Sequence, residues 1–156
     1  MNRQTKYPDT DTFHYFNANP KNRITGDCAF RAISTALEQD YNTTVMEMAE
    51  MMCKTGYALN DKKGEEKYLA SKGWMKHKQP RKNDGTKYTG KEWCEYLSIN
   101  DSSGKTGAII ATIGGHHIVC IRPTEYGDGT NCKYKVWDTW NSTGYCIGNY
   151  YTKIEK

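Results

Sequence analysis

The sequence has little apolar content, no long apolar run and no Cys-x-x-Cys pair, and each shortage excludes something. Apolar side chains make up only 37% of the 156 residues. The longest apolar stretch, around Gly107–Gly115, falls far below the ~18 residues that a membrane-spanning helix needs. The start Met1-Asn2-Arg3-Gln4 is polar where a signal peptide would carry its apolar core. The expectation is therefore a soluble, cytoplasmic protein with no membrane partner. Without Cys-x-x-Cys, and with His116 and His117 adjacent so that they point to opposite faces of a strand, no zinc site forms and no metal or cofactor is expected. No internal repeat is visible. The charge balance, 22 basic against 18 acidic residues, is too mild to demand nucleic acid.

What is present is aromatic. Twelve tyrosines, four tryptophans and three phenylalanines supply apolar bodies with polar tips. A chain of this length forms one domain and buries roughly 70% of the surface that its unfolded form exposes. The six cysteines, Cys28, Cys53, Cys94, Cys120, Cys132 and Cys146, are expected to be free thiols in a chain without an export signal.

Residues 1–24 hold Pro8, Pro20 and several Asn and Asp with no sustained period, and read as an irregular arm or a strand laid over the body. Residues 25–156 read as a single domain. From Cys28 the positions Ala29, Ile33, Ala36 and Leu37 recur at helical spacing behind the turn Thr25-Gly26-Asp27, with Asp27 as the capping oxygen. A second helix is predicted from Thr43 or Thr44, with Thr44 and Glu47 as a capping box, to Gly56, its methionines facing the core. A third runs from Asp61 to Lys72, and a fourth from Thr89 to Leu97 with Trp93, Tyr96 and Leu97 on one side. The basic run Lys76–Lys87 reads as a solvated loop.

After Gly104 the pattern changes to short β-rich runs: Gly107–Ile113, His117–Ile121, Lys133–Asp138 and Tyr145–Tyr151, separated by Gly114-Gly115, Gly127-Asp128-Gly129 and Asn141–Gly144. Helices first and strands last predict an α+β fold, helices packed on an antiparallel sheet.

One thiol stands apart. Cys28 falls at the first position of a helix, where unpaired N–H groups and the helix dipole favour a thiolate. A nucleophile also needs a base, and the base needs an orienting group. An antiparallel pairing that sets His117 opposite Asp138 also sets Val119 opposite Val136 and Ile121 opposite Tyr134, all on one face. Directly opposite residues have Cβ atoms about 5 Å apart, within reach of a carboxylate–imidazole bond. His116 then falls on the other face, so His117 is the preferred base and His116 the alternate.

These segments, Thr25-Gly26-Asp27-Cys28-Ala29-Phe30-Arg31-Ala32-Ile33, then Gly115-His116-His117-Ile118-Val119, then Val136-Trp137-Asp138-Thr139-Trp140, resemble the Cys, His, Asn/Asp order of papain-like cysteine peptidases. The Gly-Asp-Cys start is also similar to ovarian-tumour-type deubiquitinases and bacteriocin-processing peptidases, and the whole chain to small papain-fold proteins of bacteria and their phages. The resemblance implies a papain-like fold and a Cys28–His117–Asp138 triad that hydrolyses a peptide or isopeptide bond. It also implies an oxyanion hole from the Asn22 amide and the Cys28 N–H, with Trp140 shielding the triad. Asp138 stands where papain has Asn, Asn22 where it has Gln, and Ala29 where it has an aromatic residue. Two further readings stay open: a thiol acyltransferase or amidase, and a catalytically inactive papain-fold module that binds or inhibits a protein partner.

Overall fold

The computed structural model describes residues 2–124 and 131–155. Its elements run α1 (Arg3–Lys6), β1 (Phe13–Tyr15), α2 (Cys28–Leu37), α3 (Tyr41–Thr55), α4 (Lys62–Ser71), β2 (Trp74–His77), α5 (Gly90–Asn100), β3 (Ile109–Ile113), β4 (His117–Thr124), β5 (Lys133–Asp138) and β6 (Ile147–Lys153). The fold is α+β around an open six-stranded sheet of order β1-β5-β4-β3-β6-β2.

Both faces of this sheet are covered. On one, Ile33 of α2, Met48 of α3, Leu69 of α4 and Trp74 pack with Ile110 and Cys120. On the other, Trp93, Cys94 and Leu97 of α5 pack with Ile109, Ala111, Ile113, Val119, Ile121, Tyr134 and Val136. Two covered faces explain why Ile109–Ile113 reads as a nearly continuous apolar run instead of an alternating one.

The sheet is mixed, not antiparallel. β4 pairs antiparallel with β3 and β5, and β6 with β3 and β2, but β1 lies parallel to β5, with Tyr15 beside Asp138. The first 24 residues are thus not irregular throughout: Phe13 is fully buried, and Arg3 Nε donates to the Thr139 carbonyl at 2.7 Å. β1 and β2 are too short, at three and four residues, to show a period of their own.

Helix ends depart from expectation where side chains have other work. Asp27 makes no capping bond to α2, because its carboxylate is held by Arg31, Asn19 and Tyr41. α3 starts at Tyr41, capped by Asp40 on the Thr43 N–H, while Thr44 is buried. Its methionines do not form one core face: Met48 is buried, whereas Met46 is 71% exposed and Met52 is exposed as well. Thr89 caps α5 in a box with Glu92, and Tyr96 on that helix is exposed. In the basic run, Lys76 belongs to β2 and pairs with Glu66, and Lys82 pairs with Glu92. The expected turn at Gly127-Asp128-Gly129 lies outside the described residues.

Candidate active site

α2 presents Cys28 at its first turn, half-buried, because a 10-residue helix with an Ala- and Ile-rich face is pinned against β4 from Ala29 onward. β3 and β4 are joined by Gly114, Gly115 and His116, with φ of 64° and 86° at the glycines. Left-handed φ values favour glycine, and this tight reversal starts β4 at His117. Asp138 ends β5, an interior strand held by β4 on one side and β1 on the other.

The strand register differs from the expected one. Ile121 stands opposite Val136 and Pro123 opposite Tyr134, so β5 is displaced by two residues relative to a pairing of His117 with Asp138. A slip of one residue would have sent the two side chains to opposite faces; a slip of two keeps them on the same one. They meet diagonally: His117 Nε2 lies 2.5 Å from Asp138 Oδ2.

With Nε2 committed to Asp138, Nδ1 is the nitrogen left for Cys28. Cys28 and His117 line the same cleft, close enough for each to shift the titration of the other, and the Ile118 N–H also favours the thiolate. Burial alone would raise the Cys28 pKa, but His117, the Ile118 amide and the charge of Arg31 together hold it below the usual thiol value. Burial alone would lower the His117 pKa, but Asp138 and Cys28 outweigh it and push the imidazole up to about 9. Both directions favour a thiolate–imidazolium pair. By contrast, burial pushes the thiols of Cys94 and Cys120 upward, the second to about 12.

Behind Asp138 stands a residue absent from the sequence reading as a site residue. Arg31, 8% exposed, donates from Nη1 to Asp138 Oδ1 and from Nε to Asp27 Oδ1, each at 2.8 Å. The Thr139 N–H also donates to Asp138 Oδ1, at 2.7 Å. Asp27, Arg31, Asp138, His117 and Cys28 thus form a line of alternating charge with the imidazole near one end. The available signal was an acid–base pair at i,i+4 spacing, Asp27 and Arg31, on the polar side of the helix that starts at Cys28.

Trp140 lies against the imidazole, ring centroids 5.0 Å apart, and is flanked in turn by Tyr145. His116 is exposed and lines the cleft at Cys28 without sharing the bond to Asp138. Asn22 is not brought to that cleft. It sits in a turn at φ 53°, exposed, its carboxamide oxygen accepting from Asn17 at 3.3 Å. The amide side chain that lines the cleft is Asn60.

The cleft itself is small, about 120 Å³, and its walls include Cys28, His117, Thr112, Asn60, Lys62 and Glu65. A larger depression of about 500 Å³ lies at the far end of α2, around Ala36, Gln39 and Arg122, and has no nucleophile. Among the described residues no three His, Cys, Asp or Glu side chains converge as metal ligands, and no helix is long and apolar enough to cross a membrane. Comparison with known proteins finds no matching family model, no matching curated protein and no matching solved structure.

Proposed function

We propose that this chain is a cysteine peptidase of papain-like fold, hydrolysing a peptide or isopeptide bond in a polypeptide substrate within the reducing cytoplasm. The observation that carries the reading is a single imidazole set between a helix-start thiol and a buried carboxylate. In the acylation step the Cys28 sulfur attacks the carbonyl carbon, and the imidazolium of His117 gives its proton to the departing amine. His117 then takes a proton from water, whose oxygen attacks the thioester and releases the acid, returning the thiol. Asp138 holds the ring by its Nε2 side and stabilises its charge. As the first helical residue, Cys28 has an N–H without an intrahelical carbonyl, free to donate to the oxyanion. Asn60, and not Asn22, is the carboxamide residue that lines the cleft and can donate there beside the Cys28 N–H.

The test is site-selective alkylation. Limiting iodoacetamide at about pH 6.5 should label Cys28 ahead of the exposed Cys53 and Cys146, and His117→Ala should abolish the preference. Equal labelling of all three would overturn the reading. Peptide-library cleavage, lost in Cys28→Ala, then reads hydrolysis, and transfer of the acyl group to an added amine in place of water would mark an acyltransferase instead.

A further inference from the structure

The cleft has a second ionisable wall that the proposed hydrolysis does not use. Glu65, one turn into α4, is 8% exposed and borders the same cavity as Cys28. The other buried carboxylates are matched: Asp27 by Arg31, Asn19 and Tyr41, and Asp138 by Arg31, His117 and the Thr139 amide. Among the described residues no side chain hydrogen-bonds the Glu65 carboxyl. Its nearest cation, Lys62, donates instead to the Gly115 carbonyl at 3.2 Å. The Glu65 oxygens are not among the fully buried unpartnered atoms, so the half-desolvated carboxyl opens to the cleft, where a ligand can supply the missing partner.

We propose that Glu65 is the specificity-determining residue of this cleft and receives a cationic group of the substrate, an ammonium or guanidinium, close to the bond attacked by Cys28. The proposal rests on the thiol-peptidase reading. A cavity of about 120 Å³ is about four water volumes, enough for the end of a basic side chain but not for a large ring. The charged and titratable groups around Glu65 are Lys62 and Asp61 of its own turn, Tyr151 of β6, His116 of the β3–β4 turn, His117 of β4, and Cys28 of α2. The thiolate and imidazolium offset one another, and the Lys62 ammonium, which also lines the cleft, is turned to the Gly115 carbonyl, which leaves Glu65 as the carboxylate facing an incoming cation. Burial raises its pKa to about 7, so its charge is present above neutrality and withdrawn below it.

The test needs no known substrate. Two methanethiosulfonates, one carrying an ethylammonium group and the other a neutral ethyl group, each convert a thiolate to a mixed disulfide and release methanesulfinate. The cation-to-neutral rate ratio at Cys28, divided by the same ratio at exposed Cys53, should reach about tenfold at about pH 8, the scale of one partly desolvated charge pair. In Glu65→Gln it should fall to about one. In the unaltered protein it should also shrink on going from about pH 8 to about pH 6, which reads Glu65 without any substitution. A Cys28 that outpaces Cys53 with both reagents, yet shows a ratio insensitive to Glu65→Gln and to pH, overturns the Glu65 assignment and leaves the thiolate intact. A Cys28 no faster than Cys53 with either reagent overturns the peptidase reading and the assignment with it.

Discussion

Replacing Arg31 by methionine keeps an apolar stem of similar length and deletes the cation between Asp27 and Asp138. Two carboxylates, 5% and 1% exposed, then lose their shared partner at 2.8 Å on each side. Removing one member of a buried ion pair costs about 3–5 kcal/mol, because the remaining charge stays out of water without compensation. Here Asp27 keeps its bonds from Tyr41 and Asn19, and Asp138 keeps His117 and the Thr139 amide. The expected loss is therefore at the low end, about 3 kcal/mol, out of a total stability of about 5–15 kcal/mol. With a urea slope of about 2 kcal/mol per molar, the unfolding midpoint should fall by about 1.5 M. Arg31→Lys keeps the charge but has no fork to span both carboxylates, and should recover about half of the loss. A double-mutant cycle separates charge from packing: Asp27→Asn in the Arg31→Met background should cost less than in the unaltered protein by about 1 kcal/mol or more. An Arg31→Met midpoint within error of the parent, or strictly additive losses in the cycle, would refute the claim that this guanidinium organises the site.

Asp138→Asn preserves shape and removes the charge that holds the imidazolium, so NMR titration of His117 should move down from about 9 toward its ordinary range while the onset of Cys28 alkylation moves to higher pH. An unmoved His117 titration would mean that Asp138 does not stabilise the ring. Glu65→Gln should stabilise the fold at about pH 8 and have little effect at about pH 5. A carboxyl whose folded pKa is raised from 4.5 to about 7 binds more protons folded than unfolded between those values, so its contribution falls as pH rises through that window. The displacement corresponds to about 3 kcal/mol, discounted to about 2 kcal/mol for water in the cleft. Urea midpoints of parent and variant at the two pH values read the difference, and equal gaps at both would sink the assignment.

What the sequence made legible is what depends on local pattern. α2 is marked by the spacing of Ala29, Ile33 and Ala36, and α5 by the Thr89–Glu92 box, because amphipathic period and end chemistry are short-range properties. β1 was not legible as a parallel partner of β5: its three residues join a strand about 120 positions away, and nothing within Phe13–Tyr15 encodes that choice. α5 on the opposite face from α2 is likewise a matter of connection. The apolar run Ile109–Ile113 carried the hint, since only a strand covered on both sides needs no polar alternation.

The site divides along the same line. Cys28 and the His117–Asp138 pair were readable because parity along a strand survives a displacement of two residues, so an incorrect register still placed imidazole and carboxylate on one face. Asn22 was placed by counting residues back from the thiol, and the turn at φ 53° breaks the regular geometry on which such counting depends. Arg31 and Glu65 were missed for a different reason. Each is a charged residue within a short helix, and its importance lies in what surrounds it: one bridges two buried carboxylates, while the other has no hydrogen-bond partner among the described residues at the wall of the thiol cleft. Periodicity assigns a residue to a face, but only the assembled fold reveals whether a buried charge on that face is already compensated. An uncompensated one beside a nucleophile is where substrate recognition has room to act.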